Sequence, residues 1–412
     1  MRGTPTTDLP EPIRGREIGT FAHYTVTVRM PDIARRTIEE NQFEEKINSR
    51  LQNLIDDIDR GKIRDLRDES APDNEAWKGY IQPYRGETWL DVPWFFAEHY
   101  FYRRIIEATG YYMKGKTEGY DPYTYQKETG LEASGEAAAK LCQQTIDWTK
   151  DSRQDKNPAR SRLAALLKAD LWGNQADLSI FPAGQNDQPN HTEEEEAQSH
   201  LLNDDSRAAA EYLVLSGGNN RIDFLIDNAG FELIADLCLA YFLLQNLITR
   251  KVCLQVKVHP TFVSDTIEKD VHTTIEFLAS FSEQTRQVAE FLRNSLMDKQ
   301  LEISPNLFWN SPLALWEMPE PLKTELGQAK LVISKGDAHY RRLLGDRHWA
   351  YTTPFAHILN GFSAPLLALR AMKSEIVCGL QPGQVEQASQ KDPKWMYDGK
   401  WGLIQTSFLG NS

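Results

Sequence analysis

Between residues 33 and 58, Ile38, Phe43, Ile47, Leu51, Leu54, Ile55 and Ile58 recur at helical spacing with charges between them. That periodicity predicts an amphipathic helix with one face on a core. Pro93 opens and Gly110 closes a second helical stretch, WFFAEHYFYRRIIEATG. Proline suits the first helical turn and glycine the residue past the last. Its aromatics lie on several faces, which predicts a buried helix whose rings are core. Glu136–Trp148 and Ala159–Trp172 also read as helix, so the first half is helical, without an internal repeat. Gln185–Asp205 is polar and carries the acidic run Glu193–Glu196. It reads as a solvated loop and places a domain boundary near residue 200, with a mainly helical region over 1–200 and a catalytic domain over 201–412.

Beyond that loop the pattern alternates. Arg221–Ile226, Val252–Val258, Leu331–Ser334 and Glu375–Cys378 read as strands. Phe231–Thr249 and the stretch from about Thr266 to Met297 read as helices. Alternating β and α units predict a largely parallel sheet covered on both faces. Right-handed crossovers set the strand C-termini along one edge, and a ligand site lies beyond that edge.

Composition narrows the function. The 412 residues are 41% hydrophobic and 25% charged, which suits a soluble globular chain and excludes disordered, collagenous and disulfide-framework classes. A net charge of −13 repels nucleic acid and anionic lipid, so no nucleic-acid or membrane partner is expected and any anion site must be local. Cys142, Cys238, Cys253 and Cys378 form no CxxC pair and sit among apolar neighbours, as buried thiols of a reducing compartment do. No apolar leader is seen at the N-terminus, and the longest apolar run, Ala235–Ile248, carries Asp236 and is too short for a membrane span. The expected location is the cytoplasm.

Gly110–Thr117 satisfies G-x-x-x-x-G-K-T, but a helix precedes it and turn-forming residues follow, whereas a phosphate loop joins a strand to a helix. H-E-x-x-H, G-x-S-x-G and G-x-G-x-x-G are absent. The remaining chemistry sits at strand ends. Asp227 and Asn228 end the first strand, with Gly230 at the helix start. They are hard oxygen ligands suited to Mg²⁺ or Mn²⁺, or else helix caps. Lys257–Asp265 follows the next strand and delivers Asp265 to the same edge, as a ligand or another cap. Lys335-Gly336-Asp337-Ala338-His339 leaves the third strand with a cation and a glycine that admits an anion. Arg370-Ala371-Met372-Lys373 precedes the fourth, as a second basic pair or as a solvated helix end. Together the clusters suit a metal-bound oxyanion flanked by cations.

The segments DNAGFELIADL, PTFVSDT, KGDAHYRRLLGDRHW and LRAMKSEIVCGLQPGQ resemble the metal-dependent damage-control phosphatases. FAHYTVTVRMPDI and TWLDVPWFFAEHYFYRRI resemble their acidic-residue methyltransferase-like subfamily, so the likeness spans nearly the whole chain. It implies a helical N-terminal region packed on a Rossmann-like α/β/α sandwich. It also implies one divalent ion, Mn²⁺ or Mg²⁺ with Ni²⁺ or Co²⁺ as other candidates, held by Asp227, Asn228 and Asp265. Substrate contacts are implied for Asn228, Glu232, Lys335, Gly336, Asp337, Ala338, His339, Arg370 and Lys373, with Asp227, Lys335 and Asp337 catalytic. The implied activity is hydrolysis of small phosphorylated metabolites such as sugar phosphates. Some members are described as S-adenosylmethionine-dependent carboxyl methyltransferases. Gly217-Gly218-Asn219-Asn220 precedes a strand instead of following one, which gives that reading little support. A third reading is a metal-binding homologue without turnover.

Three departures from the family pattern stand out. Its usual Lys-Gly-Asp-Leu-Asn has Ala338 and His339 here, its Arg-Thr-x-Lys has Ala371, and a usual Trp is Thr261. They are expected beside the substrate. His339, protonating near its ordinary pKa of about 6.5, is expected to strengthen anion binding on the acid side or else to pack against Tyr340 or Trp349.

Overall fold

The computed structural model describes residues 9–154, 156–174, 199–215 and 220–408. The polar stretch 185–198 and Gly217–Asn219 lie outside the described residues. Seven strands form one sheet: β1 Leu201–Asp204, β2 Arg221–Leu225, β3 Lys251–Val256, β4 Leu301–Pro305, β5 Leu331–Lys335, β6 Leu366–Ala371 and β7 Gly402–Ser407. Their order is β1-β7-β6-β5-β2-β3-β4, and every pairing is parallel except β6 with β7. The chain builds outward from β2 through β3 to β4, then returns to set β5 on the other side of β2. The crevice between β2 and β5 is therefore the topological switch point, where open α/β sheets bind ligands.

Alternate side chains of the strands feed two cores. Ile222, Phe224, Val252, Leu254, Leu331 and Ile333 face one layer, with helices Gly135–Gln154, Lys156–Leu171, Phe231–Gln245, Glu268–Phe281 and Glu283–Met297. The helix Phe231–Gln245 is buried from Phe231 through Leu244, which explains its unbroken apolar character. Leu225, Val332, Leu366, Ala368 and Leu403 face the other layer, with the helices before residue 110 and Gly336–Leu344. Trp94–Thr109 is buried throughout and ends on Gly110 at φ 76°, as its sequence predicts. Its Glu98 accepts a hydrogen bond from Arg341, which also donates to Asp346 at 2.7 Å, so buried charge ties the helical region to the helix behind β5.

The structure corrects three details of the sequence reading. The helix over 33–58 is two helices, Met30–Glu39 and Glu45–Arg60. Asn41 breaks it by donating its side-chain amide to Thr37 O and Pro122 O, both at 2.9 Å. Glu375–Cys378 is not a strand. The fully buried Arg370 guanidinium donates to Ser374 O at 3.1 Å and to Ile376 O, folding that segment into a loop. The strand is β6, so Arg370 and Lys373 leave a strand C-terminus at the same edge as the other clusters, and Arg370 is not a solvated helix end.

Candidate functional site

Two loops are joined at the sheet edge. Residues 227–229, after β2, run antiparallel to 264–266, after β3. Asn228 bridges Asp265, Ala229 N donates to Ser264 O at 2.7 Å, and Thr266 N donates to Asp227 O at 2.8 Å. Gly230, at φ 80°, turns the first loop into the helix that carries Glu232. In the second loop Phe262 and Val263 are left-handed, at φ 49° and 68°. For a β-branched residue that is a strained conformation, costing on the order of 1–3 kcal/mol. It is held by the Phe262 ring against His99 and Tyr102, at 4.9 and 4.8 Å, and by Asn310 donating to His259 O at 2.8 Å and Thr261 Oγ1 at 2.7 Å. This consecutive left-handed pair lies in the segment that aims Asp265.

Asp227 Oδ1 and Asp265 Oδ2 are buried and, apart from one ammonium, have no polar partner among the described residues. Both converge on Lys257 Nζ, at 3.7 and 2.8 Å. Burial, and then the Asp265 charge, raises the Asp227 carboxyl well above its ordinary range. Burial also raises Asp265, against the pull of Lys257. Asn228 donates to Asp227 Oδ2 at 3.0 Å and Glu232 Oε2 at 2.8 Å, and accepts from Ser264 Oγ at 2.5 Å. A Cβ on Gly336 would meet Asp227 Oδ2 at 1.8 Å, so the missing side chain makes room for that carboxylate. Buried carboxylate oxygens that face only an ammonium, in an oxygen-only donor set, fit a hard divalent cation. A further cluster joins Asp223 and Cys253, at strand positions away from these C-terminal ends, with Glu325 of the helix Glu320–Leu326, and Arg221 already neutralises Asp223 at 2.6 Å.

Lys335 is buried beneath Glu232. Its ammonium lies 2.6 Å from Asp170 Oδ1, 2.9 Å from Asp236 Oδ1 and 3.8 Å from Glu232 Oε1. Burial opposes the charge, but these carboxylates outweigh it and raise Lys335 above its ordinary value. Burial, and then the Asp170 charge, raises Asp236 well above the carboxylate range. On the far side, Asp337 Oδ1 accepts from Arg370 Nε at 2.8 Å, Ser374 Oγ at 3.0 Å and Lys373 N at 3.3 Å. Despite its burial, Arg370 and Arg341 hold Asp337 below its usual range, as an ionised acceptor that orders the Lys373 loop. The Lys373 ammonium has no ion-pair partner among the described residues.

The structure thus brings Asp227, Asn228, Glu232, Asp265, Lys335 and Gly336 together, with Asp337, Arg370 and Lys373 as a second group. The departures fall elsewhere than expected. Thr261 is buried against Asn310, Ala371 lies in the core, and His339 is 2% exposed, beside Trp309 at 5.3 Å instead of Tyr340 or Trp349. Burial, with Lys257 and Arg342 nearby, pushes His339 well below 6.5. It therefore stays neutral, and the expected acid-side gain has no basis. Sequence reasoning missed Lys257, Asp170 and Asp236 as site residues. Each had a signal, since each interrupts an apolar stretch: VCLQVKV, LAALLKADLW and FELIADLCLA.

Residues 25–388 match the damage-control phosphatase ARMT1-like domain. The chain is 32% identical to "Damage-control phosphatase ARMT1" of Xenopus tropicalis, over 97% of this chain and 99% of that one. It is 31% identical to the protein of that name in Homo sapiens, over 96% and 98%. In Danio rerio the figures are 30%, with 97% of each chain covered. A DUF89 family protein from Pyrococcus horikoshii superposes with a TM-score of 0.41 at 13% identity, over 84% of this chain and 90% of that chain. A domain match across most of the chain, with full-length relatives at about this identity, means that the chain belongs to the ARMT1-like damage-control phosphatase family.

Proposed function

We propose that this protein is a metal-dependent phosphatase that hydrolyses small phosphorylated metabolites such as sugar phosphates, in a reducing, cytoplasmic setting. The observation that carries the reading is the pair of buried carboxylate oxygens, Asp227 Oδ1 and Asp265 Oδ2, meeting at the switch-point edge with only the Lys257 ammonium as a polar partner among the described residues. The metabolite class comes from the family, and the setting from four buried free cysteines.

Asp227, Asn228 and Asp265 would hold one Mn²⁺ or Mg²⁺, which when bound supplies a Lewis acid and an acidified water. The chain's own residues do the rest. Lys335, held by Asp170 and Asp236, and Lys373, which has no ion-pair partner among the described residues, bring positive charge to the phosphoryl oxygens as charge develops there. Gly336 lets the backbone approach that group. Asp337 keeps Arg370 and the Lys373 loop in place through Oδ1. Asn228 and Ser264 fix the Asp227 and Glu232 carboxylates relative to one another.

Phosphate release from a panel of phosphorylated sugars and other metabolites, with and without added Mn²⁺, tests this. Mn²⁺-dependent turnover of at least one sugar phosphate is expected. No release from any member of the panel under either condition would refute it.

A further inference from the structure

The helical region grips the segment that carries Asp265 at three places. Ahead of the turn, His259 Nε2 lies 3.6 Å from Asp73 Oδ2, and Arg103 of the helix Trp94–Thr109 donates to both oxygens of Asp73, at 2.7 and 2.9 Å. At the turn, the Phe262 ring packs on His99 and Tyr102 of that same helix, both buried. Beyond the turn, Asp270 Oδ2 accepts from Ile267 N at 2.9 Å and from Lys127 Nζ at 2.7 Å, and Lys127 belongs to the helix Thr124–Ala133. Asn310 fixes one end of the turn, and the ladder to residues 227–229 fixes the other. Phe262 and Val263, the left-handed pair, are what remains to close it. Their conformation sets the ligand directly, since Ser264 N donates to Phe262 O at 2.8 Å and Asp265 N to Thr261 O at 3.2 Å. Relaxing the pair to ordinary backbone would break both bonds and rotate Asp265 away from Asp227.

We propose that Phe262 is the positioning residue for Asp265, and that through it the helical region is a working part of the metal edge as well as its cover. The proposal rests on the metal-binding reading above. Its logic is linkage. A costly backbone conformation persists only where its surroundings impose it, and the aromatic socket on Trp94–Thr109 is what holds the side chain of the first strained residue. The ring in its socket favours the left-handed turn, and that turn brings Asp265 to Asp227. An ion shared by the two carboxylates favours the same turn. Ion and socket therefore select one conformation, and each strengthens the other by the same factor. A chain that has lost the ring keeps its ligands but spends less time with them in place, and its affinity for the ion falls by the fraction that stays competent.

Equilibrium dialysis of the metal-free full chain against Mn²⁺ reads the effect without turnover. Phe262→Ala removes the ring and keeps the left-handed cost, so it should bind Mn²⁺ about tenfold more weakly than the wild type, as loss of two aromatic contacts allows. Val263→Gly removes the cost and keeps the ring, so its affinity should equal or exceed that of the wild type. Adding Val263→Gly to Phe262→Ala should recover about threefold or more of the loss. A ring that only fills space gives no such rescue, because the second substitution restores no packing. Wild-type affinity in Phe262→Ala would overturn the proposal and leave the metal reading standing, and so would a loss that Val263→Gly does not recover. No Mn²⁺ bound by the wild type would overturn both. Phe262→Leu keeps part of the contact and guards against an alanine variant that does not fold. It should lose about threefold, recovered in the same way, and an unrecovered loss there would equally overturn the proposal.

Discussion

Replacing Gly336 with alanine tests the site with a single methyl group. A Cβ at this position would lie 1.8 Å from Asp227 Oδ2, 2.5 Å from its Cγ and 2.9 Å from its Cβ. Ordinary contacts between such atoms begin near 3.5 Å, so the carboxylate must retreat by about 1.5 Å. That retreat breaks the 3.0 Å bond from Asn228 and pulls Asp227 away from Asp265. The backbone adds its own cost. At φ 75° an L-residue pays about 1–2 kcal/mol that glycine does not. A misplacement of about 1 Å in a reacting constellation is worth roughly 10² in rate. Gly336→Ala should therefore lose at least about 10² in kcat, bind Mn²⁺ more weakly, and melt a few degrees lower. Gly383→Ala is the matched control, because Gly383 has φ 86° but open space where its Cβ would go. That variant should show the loss of melting temperature without the loss of kcat or Mn²⁺ affinity. The assays are phosphate release at saturating Mn²⁺, Mn²⁺ dialysis and thermal melting of both variants. Wild-type kcat and Mn²⁺ affinity in Gly336→Ala would refute the claim that this glycine makes room for Asp227.

Lys335→Met should cost about 10²–10³ in kcat, as loss of one preorganised charge contact does, and near-normal turnover would remove the lysine from the mechanism. Asp170→Ala should destabilise the fold by on the order of 3 kcal/mol in urea titration, because it strips a fully buried ammonium of its nearest carboxylate, and a change below about 0.5 kcal/mol would contradict the pairing. His339 is held below its ordinary pKa, so above about pH 6.5 it is neutral in both folded and unfolded chains and costs nothing; as pH falls below that value only the unfolded chain takes the proton, and stability declines. His339→Asn should flatten that acid-side decline in urea midpoint while leaving the pH dependence of KM unchanged, and a shifted KM profile would return His339 to the substrate.

Local chemistry was legible where local geometry decides it. Asp227, Asn228 and Asp265 could be placed on one edge from strand alternation alone, because right-handed crossovers leave parallel strands no other arrangement. The helix Trp94–Thr109 declared itself by a proline, a glycine and aromatics on several faces. What escaped the sequence is what distance along the chain conceals. Asp170 reaches Lys335 across 165 positions and Arg341 meets Glu98 across 243, and no spacing rule links such pairs. Arg370 was misplaced for a related reason. Strands β6 and β7 pair antiparallel through a loop of some thirty residues, and the apolar run Glu375–Cys378 imitates a strand while serving as acceptor for a buried guanidinium. The departures at Thr261, His339 and Ala371 looked like changes of specificity because they adjoin site residues in sequence, yet Thr261 turns onto Asn310, strand β6 points Ala371 away from Arg370, and the helix turns His339 away from Asp337.

The pairing of β7 has a consequence for synthesis. It follows the other six strands in chain order, yet it lies between β1 and β6 and hydrogen-bonds to both. The segment leading into it also holds the basic loop, since Met372 N donates to Trp401 O at 2.7 Å and Gly399 N to Met372 O at 2.9 Å. A nascent chain can gather its helices and most of its sheet while this segment is still in the ribosome, but it then carries an open edge on β6, an unattached β1 and an unformed Lys373 loop. The Lys373 loop is thus among the last parts of the molecule to form. A chain released early, short of residue 402, would present an unpaired β6 edge to its neighbours, the kind of edge on which aggregation starts.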